Sequence, residues 1–208
     1  REGNHTNEIR GGEQTHFFRV ISFLDGVIYA DSQITENSEP LWQHLGSILG
    51  QVNATMCEFK HPGAYRFLEW DLANGYSVCQ MKKNQLNLQN LQLVDHFLKC
   101  YKLSALPLLD KLPESIIHSD ANDYNLLVDS KQQPSKITGL IDFGDMVFTH
   151  TINELAISCA YAIMKQSDPA NVIVNMVKGY HQQRSLELAE LQSLYYLIAL
   201  RLCTTLCN

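Results

Sequence analysis

Several things are missing from this 208-residue sequence, and each absence narrows its function. No uninterrupted apolar run approaches membrane-spanning length, and none has the form of a secretory signal. No Lys/Arg block occurs, and 16 basic against 22 acidic residues leave a net charge of −6. Nucleic acid and anionic membranes are therefore poor partners. The six cysteines show no Cys-x-x-Cys spacing and sit mostly in apolar, helix-like contexts. They read as reduced core thiols, which predicts a cytoplasmic protein. Cys203 and Cys207 fall four apart on one helical face, without a His or further Cys nearby in sequence to complete a metal set. Neither Gly-x-Gly-x-x-Gly nor Gly-x-x-x-x-Gly-Lys occurs, so no loop of either kind is present to cradle phosphates. Repeats and low-complexity tracts are also absent.

What remains is globular, with 45% apolar and 18% charged residues. Residues 1–14 are polar and Gly-containing, which predicts a mobile turn at the edge of the chain. His16 to Leu24 alternates into an apolar run and reads as a strand. The turn Asp25-Gly26 and a short extended piece, Val27 to Ala30, follow. Ser38, Glu39 and Pro40 open a helix whose apolar face is Leu41, Leu45, Ile48, Leu49 and Val52. His44 lies among them as a partly buried or surface histidine. Trp70 reads as a packing residue. Leu86 to Tyr101 is a second amphipathic helix, with Leu88, Leu91, Val94, Phe97, Leu98 and Tyr101 inward. Thr151-Ile152-Asn153-Glu154 has the form of a capping box, which accounts for Glu154 ahead of substrate binding. Asp168 caps the next helix, and Ser185, Glu187 and Glu190 open the last.

The informative stretch runs from Ile116 to Asp145. Two apolar runs, Leu126 to Val128 and Ile137 to Ile141, flank the polar turn Asp129 to Lys136, as in a hairpin with a longer loop. His118-Ser119-Asp120 precedes the hairpin, with Asn125 five residues after Asp120, and Asp142 follows it. A hairpin returns its ends to one place, so Asp120, Asn125 and Asp142 should converge. Two carboxylates and an amide around a point form the oxygen-donor set that phosphoryl transfer requires.

The pattern His118-x-Asp120-x-x-x-x-Asn125, followed by Leu140-Ile141-Asp142-Phe143-Gly144-Asp145, resembles the aminoglycoside phosphotransferase and choline kinase family. Its wording is most similar to the hydroxylysine kinase-like branch. The resemblance implies an α+β, protein kinase-like fold: a mostly helical C-terminal lobe around a small β-hairpin core. The Arg of the protein-kinase His-Arg-Asp motif is replaced by Ser119, and no Ala-Pro-Glu follows, which sets the chain apart from protein kinases.

By the same resemblance, residues 1–30 are a remnant of the N-terminal lobe plus the hinge, and 31–208 are the helical C-terminal catalytic lobe. The N-terminal lobe is then expected to be largely absent, together with its Gly-rich loop, strand Lys and helix Glu. Residues 1–208 alone would be inactive, and the uncovered apolar surface near Phe17, Phe18 and Phe23 would promote self-association. The implied activity is transfer of the γ-phosphoryl of ATP or GTP to a hydroxyl of an amino alcohol, amino acid or amino sugar, with Mg²⁺. The alternative is a non-catalytic kinase-like docking module. Asp120 would handle the hydroxyl proton, Asn125 and Asp142 would hold Mg²⁺, and His118 would orient the loop. Asp123 either faces a cationic substrate or caps the loop. Asp145 either supports the site from behind or contacts a substrate amine.

Overall fold

The computed structural model describes residues 7–12, 14–18, 20–35 and 37–208. Its body is helical. α1 (Glu39–Met56) carries Pro40 in its first turn, where a missing N–H costs no hydrogen bond. Leu41, Leu45 and Leu49 recur at helical spacing and are buried together with Trp42. Each such side chain contributes about 1.5–3 kcal/mol by leaving water. Ser38 precedes α1 but does not cap it: its hydroxyl accepts the Thr35 N–H instead, at 3.1 Å. His44 Nδ1 accepts the N–H of Ile137 at 3.0 Å, which ties α1 to the sheet.

α2 (Gly75–Lys82) and α3 (Leu88–Ser104) follow. Val94, Leu98 and Tyr101 of α3 are buried as its periodicity predicts, whereas Leu88 in its first turn is exposed. α4 (Ile152–Ala162) is buried at every position except Tyr161. α5 (Pro169–Gln183) opens on Asp168, whose carboxylate accepts the Asn171 N–H at 3.0 Å. α6 (Leu188–Cys207) opens on a capping box formed by Glu187 and Glu190. α1 crosses α5 at backbone contact. A Cβ on Gly46 would overlap the Met176 carbonyl oxygen, and one on Gly179 would overlap that of Gln43. Glycine is required at both positions by space.

The strands are short. β1 (Asn7–Gly11) and β2 (Gln14–Phe18) form an antiparallel hairpin, exposed along its length; β1 falls where the sequence predicts a turn, and β2 runs into the expected strand. Residues 1–6, Glu13 and Arg19, on which parts of those expectations fall, lie outside the described residues. Val20 to Leu24 has no regular structure, so the strand expected over 16–24 stops at Phe18. Phe17, Phe18 and Phe23 are exposed.

β3 (Val27–Ile28), β5 (Leu126–Val128) and β6 (Ile137–Leu140) make a three-stranded antiparallel sheet with β5 in the middle. β5 is buried throughout, which is why it reads as an unbroken apolar run. Asp129 braces the β5–β6 turn, accepting from Ser135 N at 2.8 Å, Lys136 N at 3.1 Å and Ser135 Oγ at 2.6 Å. β4 (Glu114–Ile117) pairs with β7 (Val147–His150). Among the described residues, no helix is long and apolar enough to cross a membrane.

Candidate active site

β4 delivers the chain to His118, and the backbone then turns sharply. Ser119 has φ +69°, in the left-handed region that a residue with a Cβ seldom enters. Such a turn leaves two inward N–H groups without ladder partners, and they need an acceptor. Glu154 supplies it. Its Oε2 accepts from His118 N at 2.6 Å and from Ser119 N at 3.2 Å.

The capping-box expectation at Thr151–Glu154 is thereby corrected. Thr151 makes no side-chain cap, its hydroxyl lying instead 2.8 Å from that of Ser115. Glu154 turns inward, fully buried, because the backbone of His118 and Ser119 offers donors there. Burial pushes its carboxyl upward, opposed by His118 and the two N–H donors.

His118 is itself buried and links the two ends of the motif. Its Nδ1 accepts the Asp120 N–H at 3.2 Å, so Nε2 carries the proton and donates to Ile141 O at 2.9 Å. Phe143 meets the ring edge-on, with centroids 4.6 Å apart.

Asp120 is partly exposed and held from two sides. Asn122 Nδ2 donates to Oδ1 at 2.9 Å, and Asn125 Nδ2 donates to Oδ2 at 2.7 Å. Asn125 also closes the loop by donating to Asp120 O at 2.9 Å. Its carbonyl accepts from Ile141 N at 3.0 Å, where the β5–β6 ladder begins. Asn125 therefore stands at the start of β5, and Asp142 just beyond the end of β6. The backbone ends of the hairpin are adjacent.

Asp142 is exposed and also left-handed, with φ +61°. Its Oδ1 accepts the Gly144 N–H at 3.2 Å. Arg66 pins this turn from outside by donating to Gly144 O at 2.5 Å and Met146 O at 3.3 Å.

The two remaining acids separate. Asp145 lines a pocket of about 230 Å³ together with Trp70, Asp120, Asn122, Tyr161 and Arg201. Asp123 lines a second pocket of about 230 Å³ with Tyr29 and Lys165, and Tyr161 borders both. Burial raises the Asp120 carboxyl, opposed by the Asn122 donor and Arg201, while Asp145 adds to the rise. Burial likewise raises Asp123, against its own backbone N–H and Lys165.

Arg201, Tyr161, Asn122 and Arg66 escape the sequence reading. Arg201 had a signal: a lone charge within the apolar run of the last helix has to be paired. Trp70 is also more than packing. It is 40% exposed, and the Arg201 guanidinium lies 5.0 Å from its ring centroid.

The oxygen donors suit a hard cation. Asn125 commits its nitrogen to Asp120, which leaves its Oδ1 without a partner among the described residues. Among those residues, no group of three or more His, Cys, Asp or Glu side chains is arranged to hold a metal ion. A cation at Asn125 and Asp142 would draw its other ligands from water and phosphate, as Mg²⁺ does in nucleotide sites.

Comparison with known proteins shows the family. The sequence pattern of the Phosphotransferase enzyme family (APH) matches residues 5–192. The chain belongs to this family. Among curated relatives, hydroxylysine kinase of Danio rerio is 30% identical over 202 residues, covering 94% of this chain and 56% of that protein. Hydroxylysine kinase of Mus musculus is 26% identical over 204 residues, covering 94% and 54%. The chain thus spans about half the length of the curated relatives it matches.

Solved structures share the fold. Amicoumacin kinase hAmiN, in complex with AMP-PNP, Ca²⁺ and Ami, superposes with a TM-score of 0.61 at 17% identity, covering 98% of this chain and 60% of that one. A microcompartment-associated aminopropanol kinase gives 0.58 at 18%, covering 100% and 64%. An aminoglycoside phosphotransferase from Streptomyces rimosus, in complex with ADP and streptomycin, gives 0.59 at 16%, covering 95% and 73%. The APH kinase-like fold, helical with small sheets, is therefore the fold of this chain. The expectations of a largely absent N-terminal lobe and of an inactive chain have no support here, since the family pattern begins at residue 5.

Proposed function

We propose that this phosphotransferase-family chain carries the acceptor and metal half of a small-molecule kinase site. The reaction moves the γ-phosphoryl of ATP or GTP to a hydroxyl of an amino alcohol, amino acid or amino sugar. The observation that carries this reading is the setting of Asp120. Its carboxylate is fixed by two amides at the rim of a polar pocket, with a second acid, Asp145, beside it.

In this reading Asp120 accepts the acceptor's hydroxyl proton as that oxygen bonds to the γ-phosphorus. The bond from phosphorus to the bridging oxygen breaks, and the nucleoside diphosphate departs with the electron pair. His118 and Glu154 hold the loop so that Asp120 does not have to be organised at the moment of transfer. Asn125 and Asp142 would hold Mg²⁺, which neutralises phosphate charge when bound. Asp145 and Asp123 supply negative charge for the amine of a cationic acceptor, each from its own pocket.

The test is transfer of label. The full-length protein containing this chain, given γ-labelled ATP or GTP, Mg²⁺ and a panel of amino alcohols, amino sugars and hydroxylated amino acids, should label at least one acceptor. Nucleotide turnover without a labelled acceptor, or none at all, would contradict the reading.

A further inference from the structure

Asp142, one of the two oxygen donors assigned to the metal, sits on backbone that does not hold itself. Its φ of +61° lies in the left-handed region, which a residue with a Cβ keeps only where its surroundings enforce it. Two residues on, Gly144 donates its N–H to Asp142 Oδ1 at 3.2 Å. A Cβ on Gly144 would lie 3.0 Å from that same oxygen, so the close approach of the carboxylate calls for glycine. Glycine also has the widest backbone freedom of any residue. The turn that aims Asp142 therefore needs a restraint from outside.

Arg66 supplies it. This exposed side chain comes from the loop between α1 and α2, 78 residues before Gly144 in sequence. Its Nη2 donates to Gly144 O at 2.5 Å and to Met146 O at 3.3 Å, so one nitrogen bridges the carbonyls on either side of Asp145. The loop is itself anchored. The Tyr65 ring stacks on Phe148 of β7, with centroids 4.8 Å apart, and Ala64 is buried. Gly144 is thus held at both ends, its N–H by the Asp142 carboxylate and its C=O by Arg66.

We propose that Arg66 is a positioning residue for the metal: by fixing Gly144 it keeps the Asp142 carboxylate aimed at Mg²⁺. The inference rests on the kinase reading and its metal assignment. With Oδ1 on the Gly144 N–H, Asp142 Oδ2 has no partner among the described residues and is the oxygen left for the cation. A charged donor on two neutral carbonyls makes stronger hydrogen bonds than a neutral one, which suits a clamp exposed to water. Arg66 is also a positive charge beside a cation site. Removing that charge alone would strengthen metal binding, so weaker binding in its absence reports lost positioning and not lost electrostatics.

The test measures how much Mg²⁺ strengthens nucleotide binding, which requires no turnover. Calorimetry on the full-length protein gives the affinity for AMP-PNP or GMP-PNP, whichever binds, once with Mg²⁺ and once with EDTA. Partners that orient a metal ligand typically cost about tenfold to a hundredfold in metal affinity when removed. In Arg66→Met the Mg²⁺-dependent gain should therefore fall by about tenfold, while metal-free affinity and Tm stay at wild type. Arg66→Lys, whose single nitrogen can also donate to two carbonyls, should recover part of the gain. A wild-type gain in Arg66→Met, or an equal loss with and without Mg²⁺, would overturn the proposal. If Arg66→Met does not fold, Arg66→Gln replaces it and the same two results decide. Asp142→Asn separates this inference from the reading beneath it. A gain lost in Asp142→Asn but kept in Arg66→Met sinks the role of Arg66 alone, whereas a gain kept in Asp142→Asn sinks the metal assignment and Arg66 with it.

Discussion

Glu154 and His118, 36 residues apart in sequence, are joined by a 2.6 Å hydrogen bond from the histidine's backbone to the buried carboxylate. The same oxygen accepts from Ser119, so one side chain of α4 holds the left-handed turn ahead of Asp120. Glu154→Ala strands two buried N–H groups and should destabilise the fold by about 2–4 kcal/mol. Glu154→Gln keeps one acceptor oxygen and should lose less. Thermal unfolding of both variants checks the order. Equal loss from Gln and Ala would mean that the carboxylate does not organise this turn.

α1 and α5 should tolerate no Cβ at their crossing. Gly46→Ala and Gly179→Ala each place a methyl group on a carbonyl oxygen of the opposite helix, and backbone cannot rotate away as a side chain does. Each should cost about 3 kcal/mol or more, at the upper end for overpacking. Denaturant midpoints measure this. Gly12→Ala, whose Cβ would meet nothing within 4 Å, is the control for space; its φ of +65° carries only local strain.

The β5–β6 turn should respond to acid in a defined window. Three donors hold the Asp129 carboxyl down at about 2, below the usual carboxylate range. A depressed folded value means that the bracing is present at neutral pH and is lost as pH falls from about 4 through 2. Asp129 is exposed, so the effect is local rather than global. NMR titration should show the Ser135 and Lys136 amides shifting together with an apparent midpoint near that value. A midpoint near 4 would contradict the bracing.

The hairpin and its flanking motif were legible in the sequence because their signals are local. Apolar runs of strand length, a polar turn with Pro134, and fixed spacing from His118 through Asp142 all lie within thirty residues. Most helices were legible from their caps and periodicity, as at Asp168. What stayed hidden depends on long-range neighbours. Glu154 satisfies a capping pattern on paper, and only the proximity of β4 reveals that it serves the loop instead. Trp70 and Arg201 are 131 residues apart and acquire meaning only as a pair. β1 was missed because four of its five residues are polar or glycine and all are exposed, which removes the alternation that marks a strand; the end of β2 was anticipated as the start of the strand read over 16–24.

If, as proposed, Asp120 handles the acceptor's proton, Asp120→Asn should separate chemistry from binding. The amide keeps the size of the side chain and one acceptor oxygen, so the loop should stay folded and Mg-nucleotide affinity should stay close to wild type. Turnover should fall roughly a hundredfold or more, because the proposed proton acceptor would be gone. The measurement is kcat beside nucleotide affinity, in the full-length protein with its best acceptor. Near wild-type kcat in Asp120→Asn would remove Asp120 from the chemistry.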